Sequence, residues 1–283
     1  MDNILLLTDL SVKSENAHDY ALKLFKGKKC NFHLLSVQKF WDYTMDDLMV
    51  ANPKDAISSA LLRDHQDSLK EIKEQLIKQT AKEDFTFYTI VDYDVFTKAI
   101  NDAVISYNID LIVCGTDGKS DIMESIFSSH TLRIIRKTEC PLLAIPDGFN
   151  FVYPSNIEYL LDYDDSFDEC GKEPFAQLVK KYPSTIYVMR LNYGFVIDSI
   201  DYKKEQEDII KYFHGTPVIY ETHIDEEPIA VIEESIQRLG IQMQVLSAHK
   251  ESFIDRIFSN SHLSKIVNMA RVPILILRTC EPQ

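Results

Sequence analysis

The chain of 283 residues is long enough for two domains of ordinary size. Its composition, 45% hydrophobic and 26% charged, excludes a largely disordered protein. The formal charge of −14 repels phosphate backbones and anionic lipid surfaces, which argues against nucleic acid and membrane partners.

The five cysteines lie far apart, form no CxxC pair and have no zinc-type spacing with histidine. We therefore expect reduced, mostly buried thiols and no metal site. No apolar run approaches the roughly 18 residues of a membrane-spanning helix. The acidic start MDNILLLTDL also lacks the basic flank of a signal peptide, so we expect a complete cytoplasmic protein.

Strands and helices alternate along the first half of the chain. Short apolar runs predict strands at residues 3–7, 32–37, 85–91, 110–115 and 142–145. Apolar residues at helical spacing predict helices at residues 14–25, 61–77, 96–107 and 129–137. This alternation predicts a parallel sheet with helices on both faces.

The same pattern then begins again, and three segments match directly. LLLTDLS at 5–11 pairs with LLDYDDS at 160–166, ESIFSSHTL at 124–132 with DRIFSNSHL at 255–263, and CPLLAI with VPILIL near the end of each half. The first match aligns Asp9 with Asp164. Turn formers and proline in DGFNFVYPS mark the join, so we predict two tandem domains, 1–148 and 149–283.

The most informative stretch is GTDGKSDIMESIFSSHT, which leaves a predicted parallel strand and enters a helix. Ligands bind at this end of the strands in open α/β sheets. Gly115 and Gly118 let backbone amides approach an anion closely, and Ser128 and Ser129 stand at the helix start with hydroxyls and unpaired amides. The arrangement suits a polyphosphate, although a strand-to-helix turn without ligand has the same chemistry.

This loop resembles the ATP-binding universal stress proteins, which carry a glycine, two residues, a glycine, nine residues and then Gly-Ser or Gly-Thr. The resemblance implies two tandem Rossmann-like domains of the adenine nucleotide alpha hydrolase-like type, each with a five-stranded, mostly parallel sheet. It implies a non-enzymatic stress-response protein with an ATP site in the first domain. The residues implied are Thr8, Asp9, Val37, Cys114, Gly115, Gly118, Ser128, Ser129, His130 and Thr131. The family also implies pairing through the last strands, within the chain as a pseudo-dimer or between chains as a homodimer.

The loop departs from the family pattern in two ways. Ser128 replaces the third glycine, and Asp117, Asp121 and Glu124 are offset only by Lys119. The second half retains no glycine in its loop, so we expect no nucleotide there. The alternative is a ligand-free tandem scaffold that acts through protein–protein contacts, aided by an insertion at 38–60.

Overall fold

The computed structural model describes residues 1–37, 57–92, 95–116, 134–135, 137–161, 167–192, 201–224, 228–248 and 271–279. The chain divides into two compact units, Met1–Gly115 and Thr116–Gln283. Strands and helices alternate in both units, which confirms the predicted α/β fold. Of the predicted insertion, residues 38–56 lie outside the described residues and residues 57–60 belong to a helix.

The first unit contains four parallel strands and three helices among its described residues. They are β1 Asn3–Leu7, α1 Val12–Phe25, β2 Cys30–Val37, α2 Ile57–Gln79, β3 Phe85–Asp92, α3 Phe96–Ser106 and β4 Leu111–Thr116. The strand order is β3-β2-β1-β4. Leu5 of β1 lies opposite His33 of β2 and Ile112 of β4.

The core of this unit lies on both faces of β1, which explains its unbroken apolar sequence. Ile4, Leu5 and Leu6 are fully buried, as expected for a central parallel strand covered by helices. Helix α1 packs beside it and begins at Ser11, whose hydroxyl accepts from the Ser14 amide at 3.4 Å. The Ser11 cap and the buried apolar strand β1 thus fix the turn between β1 and α1.

The second unit contains six strands and three helices among its described residues. They are β5 Leu142–Pro146, β6 Asn156–Leu161, α4 Glu173–Lys181, β7 Thr185–Asn192, α5 Tyr202–Tyr212, β8 Val218–Ile224, α6 Pro228–Leu239, β9 Met243–Ala248 and β10 Ile274–Arg278. The strand order is β5-β10-β9-β6-β7-β8. All pairs are parallel except β5 with β10, where Ala144 lies opposite Ile274.

The strand order of the first unit recurs in the second. Strands β8-β7-β6-β9 repeat the order β3-β2-β1-β4, as the sequence repeat requires. The chain nevertheless divides into its two compact units between Gly115 and Thr116 rather than near Phe149. The reason is that β5, the last strand of the first repeat, pairs with β10 at the end of the second repeat and so belongs to the second unit. The boundary of the two repeats near Phe149 remains a prediction.

None of the described helices combines the length and the apolar character needed to cross a bilayer. Within the described ranges, no three His, Cys, Asp or Glu side chains gather as they would around a metal ion.

Candidate functional site

The loop after β1 lies at the edge of the first unit where open α/β sheets bind ligands. Strand β1 lies between β2 and β4, so the chain runs outward on one side through β2 and β3 and returns on the other side at β4. This reversal opens a crevice at the carboxyl ends of β1 and β4. Thr8 and Asp9 directly follow β1, and Gly115 stands near the end of β4.

Thr8 anchors the loop through both its backbone and its side chain. Its amide donates to the Leu35 carbonyl in β2 at 3.0 Å, and its hydroxyl accepts from the Leu10 amide at 3.0 Å. The same hydroxyl lies 3.1 Å from the Ser14 hydroxyl in α1. Leu10 has a φ of 65°, which is costly for a residue with a side chain. Since Thr8 is buried, its role is to shape the loop.

Asp9 is the exposed carboxylate of this loop. Its Oδ1 accepts from the Ser11 amide at 3.0 Å and from the Ser11 hydroxyl at 2.5 Å. Partial burial raises the pKa of Asp9, but the hydrogen bonds from Ser11 and Ser14 outweigh burial and leave the pKa below its usual value. The side chain is therefore an ionised acceptor at neutral pH, of the kind that binds a ribose hydroxyl.

His18 supports the same loop and was not identified from the sequence. It is buried in α1, and its Nε2 lies 3.0 Å from the Leu7 carbonyl at the end of β1, so Nε2 carries the proton and donates it. Burial lowers the pKa of His18 to about 4, although the bond to Leu7 and the charge of Asp9 raise it. The imidazole is thus neutral, and it ties α1 to β1. A histidine on the apolar face that carries Ala21 and Phe25 was the available signal.

Glycine at position 115 is required by the packing of the chain, independently of any ligand. A Cβ at this position would lie 2.7 Å from the Lys13 carbonyl oxygen and 3.5 Å from the Ser14 amide nitrogen. Only glycine therefore lets the first turn of α1 lie against β4. The same close approach brings the start of α1 to the edge where the loop of Asp9 lies.

The structure describes half of the predicted site residues. Thr8, Asp9, Val37, Cys114 and Gly115 all lie at the carboxyl ends of β1, β2 and β4. The Cys114 side chain is buried, so only its backbone could meet a ligand. Gly118, Ser128, Ser129, His130 and Thr131 lie outside the described residues. The complete predicted set remains a prediction.

The second unit has a buried ion pair near the corresponding edge. Arg190 of β7 is fully buried, and its Nη2 donates to Oε1 of Glu205 in α5. The Tyr220 hydroxyl donates to the other oxygen of Glu205 at 2.5 Å, and the Phe167 amide also donates to Oε1 at 3.0 Å. Burial lowers the pKa of Arg190, but the charge of Glu205 and the hydrogen bonds with Tyr220 and Glu205 together outweigh burial and leave the pKa raised.

This ion pair fills space that an apolar side chain fills in the first unit. Leu6 of β1 lies opposite Leu34, while the matching Leu161 of β6 lies opposite Arg190. An arginine inside the apolar strand IYVMRL was the sequence signal for it. With its guanidinium already engaged by Glu205, Arg190 is a structural group rather than an anion receptor.

A second buried acid lies on the other face of the same sheet. Glu158 of β6 is fully buried and accepts from the Ser235 hydroxyl in α6, and from Nε2 of Gln244 in β9 at 2.6 Å. Burial raises the pKa of Glu158 to about 7, against the effect of these two hydrogen bonds. Glu221 and His223 of β8 act on it over a longer range, the first raising and the second lowering its pKa.

One cysteine differs from the sequence expectation. Cys30, Cys114 and Cys140 are buried thiols, as predicted. Cys170, in the turn before α4, is disulfide-bonded, so the prediction of five reduced cysteines was wrong. Spacing along the chain could not reveal this bond because disulfide partners are selected by their distance in the folded protein.

The comparisons with known proteins support the fold and the family. The structure of a universal stress protein from Archaeoglobus fulgidus DSM 4304 is similar over 100% of this chain and 98% of that chain, with a TM-score of 0.74 and 14% identity. A putative universal stress protein from Pseudomonas aeruginosa UCBPP-PA14 is similar over 99% and 94%, with a TM-score of 0.62 and 13% identity.

The same fold extends to the cytoplasmic domain of a prokaryotic cation chloride cotransporter, which is similar over 98% of this chain and 95% of that chain, with a TM-score of 0.53 and 10% identity. No curated protein matches the sequence. The sequence profile of the universal stress protein family matches residues 1–146, which is more than half of the chain. The chain therefore belongs to the universal stress protein family.

Proposed function

We propose that this protein is a non-enzymatic stress-response protein that binds ATP in its first domain. The observation that carries the proposal is the exposed, ionised Asp9 at the point where the strand order of the first unit reverses. An anionic acceptor at that crevice suits the ribose of a nucleotide. Family membership supplies the context, since the match covers the residues of this edge.

Each part of the nucleotide has a proposed partner. Asp9 accepts from the ribose hydroxyls, and Val37, half-buried at the end of β2, packs on the adenine ring. The backbone from Cys114 and Gly115 to Gly118, together with Ser128, Ser129, His130 and Thr131, receives the phosphates, as helix starts do for anions. The acidic side chains of the loop oppose a bare triphosphate, at roughly 1 kcal/mol per close exposed pair. Protein groups alone form the proposed site, with no metal ligand among them.

The test is a thermal shift titration with ATP, with and without Mg²⁺. Wild type should melt at higher temperature in millimolar ATP, because a ligand of the folded state stabilises it by mass action. Asp9→Asn should reduce this shift, while Asp164→Asn, the aligned position of the second repeat, should leave it unchanged. Gly118→Arg should abolish it. A wild-type melting temperature that does not respond to millimolar ATP would remove the site.

A second candidate is a ligand-free scaffold that acts through protein–protein contacts. The observation that favours it is the packing of Gly115 against Lys13, which explains this glycine without a ligand. Mass spectrometry of small molecules released from protein purified without nucleotide separates the two: a co-purified adenine nucleotide supports the ATP site, and its absence together with no thermal shift supports the scaffold.

The proposal also includes assembly and location. We propose an intramolecular pseudo-dimer of the two repeats, supported by the antiparallel pairing of β5 with β10, and a homodimer and a cytoplasmic location as in the family resemblance. Light scattering and cell fractionation test these points. Phosphate release from ATP that falls in Asp9→Asn or in Asp117→Asn would contradict the non-enzymatic proposal, whereas release unchanged by both substitutions would not.

A further inference from the structure

Helix α6 covers the face of the second unit's sheet on which Glu158 lies. Glu158 is fully buried in β6, opposite Gln244 of β9. Ile232 and Ser235, three positions apart on α6, are also buried, as expected for the face of a helix that packs on a sheet. The Ser235 hydroxyl lies within hydrogen-bond distance of Oε1 of Glu158. The carboxyl group is thus enclosed between the helix and the sheet.

The Ser235 hydroxyl meets two acceptors with only one proton to give. Its Oγ lies 2.8 Å from the Ile232 carbonyl oxygen as well as beside Glu158. A hydroxyl donates one hydrogen bond and accepts others through its lone pairs. Both contacts are hydrogen bonds at the same time only when Glu158 is protonated, so that its carboxyl donates to Ser235 and Ser235 donates to Ile232. Oε2 of Glu158 accepts from Nε2 of Gln244 at 2.6 Å in either state.

Ionisation of Glu158 breaks this chain of donors. The Ser235 hydroxyl then has to donate to the carboxylate, which leaves its lone pairs facing the Ile232 carbonyl oxygen. Among the described residues, the donors to this buried carboxyl are the neutral side chains of Ser235 and Gln244. A buried carboxylate that is not paired with a cation is costly, so the ionised form favours an opening of α6 that lets water reach Glu158.

The charged groups near Glu158 are largely engaged with one another. The titratable groups on the surrounding elements are Tyr187 of β7, Glu221 and His223 of β8, and Glu233, Glu234 and Arg238 of α6. Arg238 donates to Glu221 at 2.9 Å and lies 3.8 Å from Glu234, so the cation of α6 is balanced mainly by Glu221. The charge of Glu221 opposes ionisation of Glu158, whereas that of His223 favours it.

We propose that Glu158, Ser235 and the Ile232 carbonyl form a proton-linked latch, which holds α6 on the sheet while Glu158 is protonated and loosens it when the proton passes to solvent. Burial raises the pKa of Glu158 to about 7, so the latch changes state near neutral pH. Loosening uncovers the apolar side chains of Val231 and Ile232, which are otherwise buried. The second unit thereby acquires a pH input that does not depend on the ATP site proposed in the first domain.

A rise in pH should open the latch. While the latch is closed, the pKa of Glu158 is about 7, whereas in contact with water the carboxyl returns to its ordinary pKa of 4.5. Between these two pH values, opening releases a proton. The equilibrium constant for opening should therefore rise about tenfold for each pH unit and level off above pH 7.

The experiment is amide hydrogen exchange of the full-length protein between pH 5 and pH 8, with rates corrected for the intrinsic pH dependence of exchange. Amides of α6 should lose protection about tenfold per pH unit up to pH 7. They should respond little to dilute urea, because a local opening exposes little surface. If α6 loses protection only together with the most protected amides of β6, and with the same dependence on urea, the proton acts on global unfolding and there is no latch.

Two variants assign the effect to Glu158. Glu158→Gln copies the protonated acid, since its amide donates to Ser235 and its carbonyl accepts from Gln244, so α6 should stay protected at pH 8. The matched control Glu234→Gln, at an exposed position of α6, should keep the pH dependence of wild type. A pH dependence that persists in Glu158→Gln would assign the effect to another group and overturn the proposal.

The protonation of Glu158 is measured directly by NMR of protein labelled at the glutamate carboxyl carbons. The resonance that is missing from the spectrum of Glu158→Gln should titrate near pH 7 in wild type, well above the exposed glutamates. A wild-type spectrum in which every glutamate titrates near the ordinary pKa of 4.5 would overturn the latch without recourse to any variant.

Discussion

At equivalent positions of their second strands, the two repeats carry Leu34 and Arg190. The strands have the same order and the same register, since Leu6 faces Leu34 as Leu161 faces Arg190. The first repeat fills the position with an apolar side chain, and the second with an ion pair closed by Glu205. One backbone plan therefore accepts two interiors, provided that each buried charge has its partner.

The two repeats also differ in the buried side chain that can bind or release a proton. In the first repeat one buried titratable group beside β1 is His18, which stays neutral because burial lowers its pKa to about 4. In the second it is Glu158, whose pKa burial raises to about 7. The two repeats should consequently respond to pH in opposite directions. Each of the following predictions tests one property in which the two repeats differ.

The largest expected effect comes from breaking the ion pair of the second repeat. Glu205→Ala leaves the Arg190 charge buried without its partner, so the free energy of unfolding should fall by about 3–5 kcal/mol in urea denaturation. The variant Arg190→Leu, Glu205→Leu, Tyr220→Phe makes this region apolar, as in the first repeat, and should recover most of the loss. If the single and triple variants are equally unstable, the charge is not the cause.

The next largest loss of stability is expected where a glycine packs closely against another part of the backbone. Gly171→Ala should lower the free energy of unfolding by about 3 kcal/mol, because its Cβ would overlap the Arg278 carbonyl. Gly115→Ala, with a 2.7 Å contact to the Lys13 carbonyl, should cost less, about 1–2 kcal/mol. Gly148→Ala is the control: its φ of 70° is similar to that of Gly171, but nothing lies within 4 Å. A loss at Gly148 as large as that at Gly171 would assign the effect to backbone conformation alone.

Glu158→Gln should stabilise the protein at high pH. Between pH 4.5 and about 7 the folded protein keeps a proton that the unfolded chain has released, so the free energy of unfolding falls as pH rises. Removing this titration should raise the free energy of unfolding by about 3 kcal/mol at pH 8 and change it little at pH 4. Glu207→Gln, at an exposed position of α5, serves as control and should change the free energy of unfolding little at either pH. A Glu158→Gln effect that is equal at both pH values contradicts the prediction.

His18→Gln should remove a slope of the opposite sign. Between pH 6.5 and about 4 the unfolded chain binds a proton that the folded protein excludes, so wild type loses stability as pH falls. The glutamine amide can still donate to the Leu7 carbonyl but does not titrate. The variant should therefore lose about 2 kcal/mol less than wild type between pH 6.5 and pH 5. The control His214→Gln, at an exposed position, should lose as much stability as wild type over this pH range. If His18→Gln also loses as much as wild type, the slope is not due to His18.

The sequence predicted the fold well because its signals are local and periodic. Buried parallel strands such as β1 need continuous apolar runs, and the helices need apolar residues every three to four positions. The repeated segments predicted the repeated strand order. The same local reading located Thr8 and Asp9 after the first strand, because these positions depend on near neighbours in the chain.

The tertiary structure alone decided what distant residues do to each other. The partner of Arg190 is Glu205, the donors to Glu158 are Ser235 and Gln244, and His18 meets the end of β1, none of which follows from spacing. The disulfide of Cys170 is of the same kind. A sequence states which groups are available, whereas pKa values, buried pairs and covalent cross-links depend on distances between residues that only the folded chain brings together.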